Sequence, residues 1–63
     1  MTDVSVTNQG SIILFHLLTD AARTWVDEHV SDDAQFFGNG LVVEPRYAQD
    51  LADGMAGDGL EIG

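Results

Sequence analysis

The chain has no cysteine and no lysine, a single proline, and only two fixed cations, Arg23 and Arg46. Without cysteine there is no disulfide to staple a fold and no thiolate to serve as nucleophile or metal ligand. Two arginines cannot build the clustered cationic surface that neutralises phosphates, which excludes direct nucleic-acid binding of that kind. The same shortage excludes adhesion to an anionic membrane surface. Long apolar runs are missing as well: the longest, Ile12 to Phe15, is far short of a membrane span. Residues 1–8 hold an acid and no base, so no secretory leader is expected there, and a cytoplasmic protein is the expectation.

What is present is acid. Eleven Asp and Glu against two Arg give 2 − 11 = −9 over 63 residues, with an isoelectric point near 4.1. Yet 44% of the residues are hydrophobic, too many for a disordered acidic tail. Area scaling gives roughly 4,000 Å² exposed when folded against about 9,900 Å² for the extended chain, so about 60% would be buried. That is the marginal end for an independent domain, and residues 1–63 are expected to form only one.

Residues 1–9 are polar and are expected to be a loose N-terminal segment, although Val4 and Val6 alternate and could join a sheet edge. Ser11 to Leu18 predicts the first firm strand, bounded by Gly10 and by Thr19-Asp20. Alternation sends Ile13, Phe15 and Leu17 to one face and Ile12, Leu14 and His16 to the other. Thr19 suits an N-cap, since its hydroxyl can accept from the free amides of the first turn, and Asp20 complements the positive helix end. The helix should run to about Val30, with Leu18, Ala22, Trp25, Val26 and His29 on one stripe. Ser31-Asp32-Asp33 breaks it.

Residues 35–44 predict a β-hairpin, with Asn39-Gly40 at the two positive-φ positions of a type I′ turn. Pro45 opens a second helix, striped by Tyr47, Leu51 and Met55 to about Ala56, and Gly57-Asp58-Gly59 ends it through a left-handed cap. Leu60-Glu61-Ile62 alternates and could return as a short edge strand. The expected fold is α+β in the order β-α-β-β-α: a three-stranded antiparallel sheet with two helices on one face. Phe15, Leu17, Ala22, Trp25, Val26, Phe37, Val42, Tyr47, Leu51 and Met55 are the expected core.

Catalytic signatures are sparse. Ser5, Ser11, Ser31 and Tyr47 lie in no nucleophile elbow and beside no evident base. His16 and His29 fit no metal-ligand spacing and are better read as polar residues satisfied by backbone or water. Asp32-Asp33 and Asp50-x-x-Asp53 lack the ligand ladder of a calcium loop. Gly54 to Gly59 follows a helix, where a phosphate loop would precede one. No enzyme activity, cofactor or metal is expected.

The charge remains. Asp20, Asp27, Glu28, Asp32 and Asp33 are expected on the first helix and the turn beyond it, Asp50 and Asp53 on the second helix, and Glu44 at its start. Helical carboxylates three or four apart stand about 5–6 Å from each other at Cβ, and each DNA strand carries a charge per roughly 3.4 Å of axis. These eight acids can therefore imitate a stretch of duplex backbone and occupy a cationic groove that normally holds nucleic acid. A plain solvated surface is the competing reading, and halophilic adaptation would also favour Asp over Lys.

Particular sequence features carry a resemblance. Gly10-Ser11-Ile12 leads into Phe15 and Leu18-Thr19, with Trp25 in the first helix. Val43-Glu44-Pro45-Arg46-Tyr47-Ala48, Asp50-Leu51-Ala52-Asp53-Gly54 and Asp58-Gly59-Leu60 follow. Over residues 10–62 the chain resembles small acidic orphan proteins carried by bacterial phages and mobile elements. In size and charge it is similar to anti-CRISPR proteins, several of which act as DNA mimics on type I surveillance complexes. The likeness implies an inhibitor in the bacterial host cytoplasm, bound to a basic DNA-binding protein or a surveillance-complex subunit. The alternative is an antitoxin-like or regulatory interaction module, homodimeric or bound through the apolar residues of the first strand and Phe36-Phe37.

Overall fold

The computed structural model describes residues 1–30 and 34–63; Ser31, Asp32 and Asp33, where the helix-breaking turn was expected, lie outside the described residues. The elements run β1 (Val4–Asn8), β2 (Ile13–Leu17), α1 (Asp20–His29), β3 (Phe36–Phe37), β4 (Gly40–Val43) and α2 (Pro45–Gly57). The strands make one antiparallel sheet in the order β1-β2-β4-β3. The class is α+β as expected, but the sheet has four strands where the sequence predicts three.

The additional strand is the segment expected to be loose. Val4–Asn8 pairs along its whole length with β2, from Val4 opposite Leu17 to Asn8 opposite Ile13. Ser5 and Thr7 lie on the face away from the core, where water tolerates them, while Val4 is completely buried. A glycine turn permits the pairing: Gly10 takes φ 91°, and its amide donates to the Asn8 side chain at 2.8 Å. Ser11 and Ile12 consequently belong to this turn, and the second strand starts at Ile13. The outer edge of β1 meets the C-terminal segment. The amides of Asp3 and Val4 donate to the Glu61 carbonyl at 2.8 and 3.1 Å, and that of Gly63 donates to the Val4 carbonyl at 2.7 Å. The C-terminal strand is thus reduced to one parallel bridge, Val4 to Ile62.

The β3–β4 hairpin forms where expected, but its turn sits one residue earlier. Phe37 pairs with Gly40, leaving Gly38-Asn39 as the two loop residues. Gly38 has φ 64° and Asn39 has a negative φ, the pattern of a type II′ turn, not the expected type I′. Glycine suits the first loop position of that turn because it has no Cβ to clash at positive φ. A one-residue shift in register exchanges the faces of a strand. Leu41 and Val43 therefore turn inward and are buried, while Val42 is only half-buried and Phe37 is 75% exposed. Both were expected in the core.

α1 starts as predicted, with the Thr19 hydroxyl accepting from the Ala22 amide at 3.2 Å. It buries Ala22, Trp25 and Val26, whereas Leu18 precedes the helix and is half exposed. α2 carries Pro45 in its first turn and continues through Gly54 to Gly57. Gly59, at φ 97°, closes it: its amide donates to Ala56 and that of Leu60 to Met55, the paired bonds of a Schellman cap. Leu60 then packs on the core, supplying the apolar contact typical of this cap.

Met55 is the buried residue of α2; Leu51 packs beside the core, and Tyr47, expected inside, is half exposed. The buried residues of both helices join Val4, Ile13, Phe15, Leu17, Leu41 and Val43 in one cluster, so the helices share that face of the sheet. The folded chain exposes 4067 Å², close to the area expected from its mass.

Candidate functional site

Asp20 is the first residue of α1 and is almost fully solvent-exposed. Arg23, one turn on, donates to the Asp20 carboxylate at 2.6 Å and to the Leu17 carbonyl at 3.1 Å. Asp27 and Glu28 lie exposed in the next turns. On α2, the Glu44 N-cap position makes no side-chain cap; its carboxylate instead accepts from Arg46 at 3.0 Å. Asp50 and Asp53 are exposed, and Asp53 accepts from the Gln49 amide at 3.0 Å. Asp32 and Asp33 lie outside the described residues.

Both arginines are therefore engaged with acids on their own helix or cap. The pairs are exposed and contribute little to stability, but they occupy the chain's only guanidinium groups locally. Asp27, Glu28, Asp50 and Asp53 make no ion pair among the described residues.

The structure brings part of the set together. Asp27 borders a hollow between α1 and the β3–β4 hairpin, while Glu44 and Asp50 border a second hollow lined by β4 and α2. Val30 lines both hollows. Neither hollow includes Asp20, Glu28 or Asp53.

The two histidines serve different faces. His16, on the outer face of the sheet, lies 3.2 Å from the Thr7 hydroxyl. His29, at the end of α1, stacks on Trp25 with ring centroids 4.2 Å apart, and its Nδ1 donates to the Trp25 carbonyl at 2.8 Å. Trp25 Nε1 donates to the Asp58 carboxylate at 2.6 Å, and that oxygen stands 3.6 Å from His29 Nε2. Asp58 thereby ties the end of α2 to α1. In the sequence Asp58 is legible only as part of a helix stop, because no local pattern links positions 33 residues apart.

Asp3 is a second junction that the sequence does not reveal. One carboxylate oxygen accepts from the Thr19 hydroxyl at 2.7 Å and the other from the Glu61 amide at 2.9 Å. The Thr19 hydroxyl caps α1, so Asp3 joins that cap to the C-terminal segment. The Glu61 amide, followed by the Thr19 hydroxyl, holds the Asp3 carboxyl below its ordinary value of 3.8. A carboxylate lowered in the folded state stabilises the fold above its unfolded value, and that contribution disappears as pH falls through the folded value. Asp3→Asn should therefore melt below the parent protein at neutral pH. The gap should close as pH drops below about 3.8. Paired thermal melts across this range check the prediction; a gap that is constant or widens towards acid would contradict it.

No family model, curated protein or solved structure matches this chain. No helix among the described residues is long and apolar enough to cross a membrane.

Proposed function

We propose that the protein is an acidic inhibitor that occupies the nucleic-acid groove of a basic protein, with a type I CRISPR surveillance complex as the preferred target. The observation that carries this reading is the local engagement of both arginines, which leaves carboxylates of two helices uncompensated. A net charge of −9 repels itself and opposes compact folding, a cost that a cationic partner would offset. Association should be fast and should weaken steeply with salt.

The test is charge reversal. Lysine at Asp27, Glu28, Asp32 and Asp33 changes the net charge from −9 to −1, each substitution adding two units. Loss of displacement of DNA from a purified surveillance complex is expected, with circular dichroism unchanged. Undiminished displacement by the folded variant would defeat the proposal.

A regulatory or antitoxin-like interaction module is the second reading. It is favoured by the outer sheet face, where Leu14 and Val42 are half-buried and Phe37 projects into solvent. A dimer that persists unchanged at high salt in light scattering would support it over the first.

A further inference from the structure

The core face of the sheet is incompletely covered at its β3 end. Phe36 lies opposite Leu41, which lies opposite Phe15, so all three side chains project to the face covered by the helices. Phe15 and Leu41 are buried, whereas Phe36 remains 54% exposed. Beside it is a hollow of about 340 Å³ with Leu17, Val26, Val30 and Phe36 supplying apolar walls. Arg23 and Asp27 line the helical side. Arg23 is already held by Asp20 and by the Leu17 carbonyl, so the Asp27 carboxylate is the uncompensated charge at this wall among the described residues.

We infer that this hollow is a docking site for a basic amphipathic segment of a partner protein, seating an apolar side chain flanked by arginine or lysine. The apolar walls continue the core and favour removing a hydrophobic group from water. The Asp27 carboxylate stands at the α1 wall, where a neighbouring cation would meet it. Charge selects this occupant over a second copy of the chain, since a dimer would bring −9 against −9. The inference rests on the proposed acidic-inhibitor reading and adds an apolar anchor to it. Recognition then requires more than an array of positive charge, because the apolar contact discriminates among cationic surfaces.

The test uses two synthetic peptides of equal net charge, one alternating arginine with leucine and the other oligo-arginine. Fluorescence anisotropy with the full chain should show the alternating peptide binding on the order of tenfold more tightly, the scale of a fitted apolar contact. Phe36→Ser should abolish that preference while leaving oligo-arginine binding unchanged. Phe37→Ser, on the opposite face, should leave the preference intact. Circular dichroism verifies that both variants fold, and Phe36→Ala, which also removes the apolar wall, replaces the serine variant if that one does not.

Equal binding of the two peptides, with no effect at Phe36, would overturn the docking site while leaving the acidic-inhibitor reading standing. Failure of both peptides to bind would overturn both. Self-association lost on substituting Phe36 would assign the hollow to a second copy and overturn the inference.

Discussion

Phe15→Ala is expected to leave the chain largely unfolded at room temperature. Phe15 is fully buried at the centre of β2, opposite Val6 on one neighbouring strand and Leu41 on the other. Removing a buried phenylalanine ring costs about 3–5 kcal/mol through lost transfer energy and the cavity left behind. A core in a domain of this size supplies about 3–5 kcal/mol of net stability. With no disulfide to offset the loss, the two quantities are comparable. Urea unfolding followed by circular dichroism measures the effect. A variant that keeps a cooperative transition within about 1 kcal/mol of the parent would show that Phe15 is not central to the core. Phe37→Ala provides the contrast, since the exposed side chain should change stability by less than about 0.5 kcal/mol. A large loss at Phe37 would contradict the hairpin register and favour the turn at Asn39-Gly40.

The second large effect is expected at Trp25, which holds the two helices together. Its indole is buried, passes close to Gly54 of α2, and is covered on one side by the stacked His29 ring. Its N–H reaches Asp58 beyond the end of α2. Trp25→Ala removes the packing and the hydrogen bond together and should cost about 3–5 kcal/mol, again comparable with the whole stability. Trp25→Phe separates the two contributions. It keeps much of the apolar contact but has no N–H, so a loss of about 1–2 kcal/mol is expected. Asp58→Ala should produce a similar loss, and the double variant should lose less than the sum, because the same bond is removed twice. Additive losses in that cycle would show that the Trp25–Asp58 bond contributes nothing to stability.

These variants also separate local from distant information. Thr19, Pro45 and Gly59 were legible because a cap involves residues within one or two turns of each other. Ala22, Trp25, Val26 and Met55 were legible for a similar reason: helical periodicity places them inward. The hairpin was recognised from its apolar arms, but Gly38-Asn39-Gly40 offers two adjacent glycine-containing turns. Packing of Leu41 and Val43 under the helices is compatible with only one of them.

The candidate acidic site was legible as a set of residues and only partly as a geometry. Composition identifies an excess of carboxylates and helical periodicity places most of them outward. The engagement of Asp20 by Arg23 and Glu44 by Arg46 follows from short-range spacing. The grouping of Asp27 with Phe36 depends on how α1 lies against the hairpin. That arrangement is tertiary.

By itself, the sequence determined the charge, the absence of covalent staples, the two helices with their Thr19 and Gly59 caps, and an apolar strand within residues 11–18. Each depends on composition or on residues close along the chain. Tertiary structure decided that residues 4–8 join the sheet, that Leu41 and Val43 turn inward, and that Asp3 and Asp58 become junctions. Those outcomes require pairings across as many as 58 residues, which local propensity does not encode. They are selected by burial of one shared core and by partners for the polar groups that border it.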